Sequence, residues 1–459
     1  MTLSVDKMRD PKGGSQLLEL CERLIERAKQ KGATDAEAYA EYGKSATVSL
    51  EQNDVKGGQV DEHQAMGLRV FVGDKMGFAY VNRFDDASLD EALDDALTIA
   101  RTSPGDPANG LVDPTAIGPV PGLWDEAVLG FSPDDVVRFG AGMLAAARGV
   151  DKRVSIDTGS FTVSYGHDAI ATTKGVRASS GGTGAVYGLF GMAVDGEEVG
   201  SFDHVYQGSV RLADVDADAL GREFGEKVVH LLHPRESRPY RGAVLFSSEA
   251  FEEIFVGTLL DACDGDNVFK GKSRLKEKLG EKVAAPGLSL VDDGTLPGGL
   301  RSSPFDREGL PHRRTPIVEG GVLKAFLYDG KAARRAGTRP TGHAGGSARS
   351  LPGISTTNLT VLPGDVSEEE LLKRLGSGLF VGRFSGTNDA VSGDFSGVAK
   401  GSFWVEGGER KHAVKETLIA GNAITLLESI VGLGSKLHRD FAYEGPWVLI
   451  DGVDVTSGA

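Results

Sequence analysis

Nine histidines, at positions 63, 167, 204, 230, 233, 312, 343, 412 and 438, and two cysteines, Cys21 and Cys263, are the side chains of this sequence best suited to hold a metal or activate a nucleophile. A catalytic zinc needs three protein ligands and a carboxylate or equivalent that takes the proton of bound water. No histidine is followed by glutamate, and the cysteines are far apart with no C-x-x-C spacing. Neither a thiolate zinc site nor a disulfide framework is expected, which fits a reducing compartment. His230 and His233 close a helix before Pro234, where imidazoles more often meet C-terminal carbonyls than metals. The segment Gly265 to Ser273, GDNVFKGKS, has five residues between its glycines and follows a helix, so it reads as a turn with a basic face rather than a phosphate loop. No G-x-S-x-G elbow is present, so no serine nucleophile is activated in that way. His343, in TGHAGGSARS, either lines a functional cavity or sits in a glycine-rich connector. The acids between Asp292 and Glu308 are interrupted by Pro and Arg, form no calcium loop, and are expected in solvated turns.

These residues must be carried by a mixed set of elements. Leu17, Leu18, Cys21, Leu24, Ile25 and Ala28 follow helical spacing up to Gly32, and Cys21 is then core. Strands are expected around residues 46–50 and 67–81, the second broken by a hairpin at Gly73-Asp74. Ser88 with Glu91 predicts a capping box for a helix carrying Leu89, Leu93 and Leu97. Ser132 and Pro133 open another helix, followed by antiparallel strands to about Tyr206, with SSGGTG at 179–184 expected as a hairpin turn. A further helix runs from about Asp216 to Leu232. From Glu249, Phe251, Ile254, Phe255, Thr258, Leu259 and Ala262 recur at helical spacing and bury one face. The remainder is glycine- and proline-rich β-type sequence with a capped helix at Ser367. The expected class is α+β, with an N-terminal unit (1–103), a linker (104–130), a central α+β unit (131–238) and a β-rich C-terminal domain (239–459).

A chain of 459 residues is too long for one ordinary core. Its 64 glycines, about twice the usual share, imply many turns between short strands. The formal charge of −16 repels phosphate backbones and anionic lipid, which argues against a nucleic-acid partner. No apolar run approaches membrane-spanning length and the first residues have no signal-peptide core, so a soluble, cytoplasmic protein is expected.

The most informative stretch is Gly382 to Gly408, GRFSGTNDAVSGDFSGVAKGSFWVEGG, where glycines at turns alternate with Phe395, Phe403, Trp404 and Val405. With the following residues to Gly421 and Asn422, it resembles the C-terminal signature of the TldD/PmbA family of peptidase subunits. Related segments include Asp292 to Gly294, Phe305 to Gly309, the turn at Glu319 to Gly321, and Pro352, Gly353, Thr357 and Asn358. In the catalytic TldD-type subunits the helix beginning here at Glu249 resembles one with an H-E-x-x-x-H motif, completed by a cysteine near the C-terminus. In this chain Val256, Gly257 and Asp261 stand at the motif's positions, and no cysteine lies beyond 263. The resemblance is therefore to the PmbA (TldE) type. It implies no catalytic or metal residue in this chain, a zinc-bearing TldD-like partner in a heterodimer, and unfolded peptide as substrate. It also implies peptide- or partner-facing roles for Phe269, Lys270, Thr341, Gly342, His343, Thr357, Asn358, Asp394 and Phe395. Two alternatives stay open: a homodimeric peptide-binding or scaffold protein, and a hydrolase with an unrecognised site that includes His343.

Overall fold

In the computed structural model, residues 9–10 and 12–457 are described; the N-terminal stretch considered above for a signal peptide lies mostly outside them. Helix α1 (Gly14–Gln30) leads into strands β1 (Asp35–Glu51), β2 (Asp54–Val72) and β3 (Lys75–Val81), then α2 (Asp86–Thr102). After an extended segment come α3 (Pro133–Val150), β4 (Val154–Thr172), β5 (Arg177–Asp195), β6 (Glu198–Val199), β7 (Asp203–Ser209) and α4 (Ala217–Val229). All seven strands belong to one antiparallel sheet, ordered β3-β2-β1-β4-β5-β6 with β7 also on β5.

The expected division at residues 104–130 therefore separates helices but not strands. The seventeen residues of β1, at about 3.4 Å each, make a ribbon long enough to carry two helix pairs in succession. Side chains alternate faces, and the even-numbered ones serve both cores. Ala38, Ala40 and Tyr42 pack with α1 and α2, whereas Val48 and Leu50 pack with α3 and α4. The opposite face of β1 carries Glu37 and Tyr39 toward the C-terminal domain. Gly182 and its neighbours, expected in a turn, lie inside β5; the turn falls at Gly175, whose φ of 103° suits glycine. Helix α2 is capped by Asp85, which accepts from Ser88 N, three residues before the expected cap. Helix α3 has the Ser132 cap, reciprocated by Asp135.

The C-terminal domain is built on a nine-stranded sheet. Its strands are β8 (Tyr240–Phe246), β9 (Ser377–Val381), β10 (Arg383–Asn388), β11 (Asp394–Lys400), β12 (Phe403–Glu406), β13 (Glu409–Ala413), β14 (Thr417–Asn422), β15 (Ile430–Leu433) and β16 (Val448–Ser457). The order is β10-β11-β14-β16-β8-β9-β12-β13, with β15 on β16. A six-stranded sheet built around Leu290–Asp293 and Leu359–Val361 packs beside it. Gly386 and Gly397 face each other across β10 and β11. A Cβ on Gly397 would fall 2.4 Å from Gly386 Cα and 2.6 Å from Ser385 O, so only glycine allows this approach.

The acids expected in solvated turns are instead buried where the two sheets meet. Asp306, Arg307 and Glu308 are at most 4% exposed. Arg69 Nη2 reaches Glu37 Oε2 at 2.5 Å and Glu308 Oε1 at 3.0 Å, and Arg307 Nη1 reaches Glu37 Oε1 at 2.9 Å. Burial alone would push the Glu37 carboxyl up, but Arg69 and then Arg307 hold it below the usual range. The four charges cancel, which makes their burial tolerable and locks the N-terminal sheet to the C-terminal domain.

Candidate functional site

The helix predicted from Glu249 forms in three parts: α5 (Ser248–Phe251), one π turn (Glu252–Val256) and α6 (Gly257–Cys263). Ser247 caps it, accepting from Ala250 N while its own hydroxyl donates to Gly382 O at 2.5 Å. On its buried face Phe251 stacks on Phe255, which meets Phe246 edge-on and Phe395 with ring centres 5.7 Å apart. The π turn is braced by β10: Asn388 Nδ2 donates to Glu253 O at 2.7 Å, and Phe384 N donates to Glu253 Oε2 at 2.6 Å. Such one-residue insertions cluster at functional sites, and this one decides which side chains emerge beyond it.

Val256, the last residue of the turn, is buried in the core, while Gly257 and Asp261 beyond it face solvent. Valine and glycine offer no ligand atom, so these three positions supply at most one ligand, the Asp261 carboxylate. These residues do not fit a catalytic zinc.

The remaining expected residues divide between surface and interior. Phe269 and Lys270 end α7 (Gly265–Phe269); Phe269 is half exposed beneath Arg335, and Lys270 pairs with Asp266. Asp394 is exposed and binds Asn422 Nδ2 at 2.8 Å. Gly342, His343, Thr357, Asn358 and Phe395 are buried, and Thr341 is half-buried. His343 Nδ1 lies 2.9 Å from Thr341 Oγ1 and its Nε2 lies 3.1 Å from Asp292 Oδ2. Asp292 Oδ1 accepts from Thr357 N at 2.7 Å, and Asn358 Nδ2 donates to Asp293 O at 2.8 Å. Hydroxyl, imidazole and carboxylate thus line up as in a nucleophile relay, yet His343 and Asp292 are each only 1% exposed. The cluster ties the glycine-rich loop to the six-stranded sheet, and the hydrolase alternative loses an accessible His343.

Sequence reasoning missed a cavity of about 940 Å³ between the central unit and the C-terminal domain. Its lining comes from β7, α4, the start of α5, β12–β13 and residues 437–440, and includes five of the nine histidines: 204, 230, 233, 412 and 438. On its floor His204 Nε2 lies 3.1 Å from Glu249 Oε1, and Lys227 Nζ lies 3.5 Å from Glu249 Oε2 and 2.9 Å from Asp203 Oδ1. Burial would raise Glu249, but the His204 hydrogen bond and Lys227 hold it low; burial, then Glu249, push Asp440 up. Ligand atoms of His204, Glu249 and Asp440 lie within 4.8 Å of one another, a spacing a metal could use. The Lys227 ammonium already supplies the cation there. Only the repeated appearance of histidine near strand ends and helix ends could have hinted at this convergence, because its residues are scattered from 204 to 447.

Comparison with known proteins gives one consistent answer. Residues 36–100 match the PmbA/TldA metallopeptidase domain 1, residues 127–232 its central domain, and residues 239–457 its C-terminal domain. The chain is 28% identical over 400 residues to the metalloprotease PmbA of Escherichia coli O157:H7, covering 85% of each. It is 25% identical over 454 residues to a TldD homolog of Buchnera aphidicola subsp. Acyrthosiphon pisum, covering 95% of this chain and 91% of that one. Its fold matches the crystal structure of TldE from Thermococcus kodakarensis with a TM-score of 0.88 at 24% identity, covering 95% of this chain and 100% of that one. Among the described residues no helix is long and apolar enough to cross a membrane. From the three domain matches and the shared fold, this chain belongs to the PmbA/TldD metallopeptidase family.

Proposed function

We propose that this chain is the non-catalytic subunit of a metallopeptidase complex, working with a TldD-like partner that binds zinc through its own H-E-x-x-x-H helix and cleaves unfolded peptides. One observation carries the reading: at the helix positions where that motif would fall stand a buried valine, a glycine and a solvent-facing aspartate. This chain then contributes framework and peptide-holding surface. The outer strand β10, with exposed Ser385 to Asn388, offers unpaired main-chain groups to an extended segment, a sequence-tolerant way to hold a peptide. Cytoplasmic residence accords with two free, buried thiols, both raised by burial.

The test is a peptide-release assay on this chain, on a TldD-like chain, and on the two together, with a chelator arm. Release is expected only when the partner is present and zinc is available. Release by this chain alone, surviving the chelator, would refute the assignment.

A further inference from the structure

One wall of the interdomain cavity carries Arg235, Arg410, Lys411 and His412. Arg410, Lys411 and His412 of β13 all line it, the register with β12 shifting by one residue between Arg410 and His412. Arg235 bridges the end of that strand, its N donating to Ala413 O at 2.9 Å while Lys415 N donates to its carbonyl at 2.7 Å. The Arg410 guanidinium lies 5.4 Å from the ring centres of both Phe380 and Phe403 and 5.7 Å from that of Trp447. Aromatic contact orients the planar fork and leaves its N–H groups unspent. Among the described residues neither Arg410 nor Arg235 has a hydrogen-bonded or ion-paired side-chain partner. The neighbouring acids are engaged elsewhere: Glu368 pairs with His438, and Glu249 with His204 and Lys227. The other acids lining the cavity are Glu223, on α4, and Asp440. The lining as a whole carries five Lys and Arg side chains, Lys227, Arg235, Arg410, Lys411 and Arg439, against the three acids Glu223, Glu249 and Asp440, a local surplus of positive charge in a chain of net charge −16.

We propose that this wall binds the C-terminal carboxylate of an extended peptide, with Arg410 as the bidentate anchor and Arg235 and His412 beside it. The proposal rests on the reading that the chain receives peptides. A terminus fits better than a mid-chain segment, because β13 is the last strand of its sheet and Arg235 closes its outer side at Val414. A chain laid along residues 409–412 runs into that closure. Carboxylate geometry matches the guanidinium fork, and a free phosphate shares that chemistry.

The test is fluorescence anisotropy with an N-terminally labelled, leucine- and alanine-rich peptide, as the free acid and as the C-terminal amide, with inorganic phosphate as a separate competitor. The acid is expected to bind at least about tenfold more tightly than the amide, as loss of a charge-assisted bidentate pair requires. The preference should vanish in Arg410→Gln and shrink in Arg235→Gln, with the circular dichroism and thermal midpoint of each variant matching the parent. Equal binding of acid and amide, binding of neither, or a preference that persists in Arg410→Gln would overturn the proposal. Phosphate binding that depends on Arg410, without any acid-over-amide preference, would also overturn it by marking a small-anion pocket. Peptide release with the zinc partner reports separately on the underlying reading: release intact with no carboxylate preference rejects this site alone.

Discussion

Arg69→Met tests the joint between the N-terminal sheet and the C-terminal domain. In the parent, two guanidinium groups balance two carboxylates, and all four side chains are at most 6% exposed. Arg69 is the member that touches both Glu37, at 2.5 Å, and Glu308, at 3.0 Å. Its removal leaves Glu37 with Arg307 alone and Glu308 with no paired guanidinium, so one negative charge is buried without compensation. Breaking a buried pair in this way costs about 3–5 kcal/mol, and methionine retains much of the apolar stem, so charge rather than packing dominates. Adding Glu308→Gln restores neutrality. The Glu37–Arg307 contact at 2.9 Å survives, and the amide oxygen can still accept from Gly330 N, now 2.6 Å from Glu308 Oε2. The double variant should therefore recover at least about 1 kcal/mol over Arg69→Met, a coupling within the range for residues in contact. Urea unfolding followed by tryptophan fluorescence, with hydrogen exchange of β1 and β2 to identify the transition that opens this joint, measures both values. Stability of Arg69→Met within about 1 kcal/mol of the parent, or a double variant weaker than Arg69→Met, would refute the reasoning.

Other consequences are as direct. Gly397→Val should lower stability by about 1–3 kcal/mol, read as a fall in thermal midpoint, because its side chain meets the backbone of β10. Gly353→Ala, where nothing lies within 4 Å of the added carbon, should be nearly neutral in the same assay. Burial, then Asp440, raise the Glu252 carboxyl from 4.5 to about 8. The folded state therefore favours its protonated form, so this contribution to stability is complete below the unfolded value and is lost as pH rises toward 8. Unfolding free energy measured from pH 5 to 8 should fall less steeply in Glu252→Gln, and an unchanged slope would reject the assignment. The triple substitution Val256→His, Gly257→Glu and Asp261→His should restore the motif yet fail to create a stoichiometric zinc site, since no cysteine lies beyond Cys263 to complete the ligand set. One tightly held zinc in that variant, found by metal analysis, would refute this by showing that another residue of the chain completes the ligand set.

Much of the framework was legible because it rests on local signals. Helical periodicity placed α1 and α2, Ser132 with Pro133 opened α3, and the hairpin at Gly73 lies between β2 and β3. The glycine- and aromatic-rich stretch from Gly382 did identify the family. What failed depends on partners far along the chain. Residues 179–184 look like a turn by composition, but they pair residue by residue with β4, so the tertiary ladder outweighs glycine's local preference. Asp306, Arg307 and Glu308 look solvated because charge alone favours water; their partners Glu37 and Arg69 lie in another part of the sequence. The cavity escaped for the same reason, being assembled from β7, α4 and β13, and the π turn has no periodic signature strong enough to separate it from the helix around it.

The proposal that this polypeptide carries no catalytic zinc is tested most directly by the zinc content of the chain purified alone after equilibration with zinc. Far less than one equivalent, about 0.1 or below, should remain after gel filtration, because no three ligands converge at the motif's positions. A full equivalent that resists exchange, lost together with a peptidase activity on chelation, would contradict it.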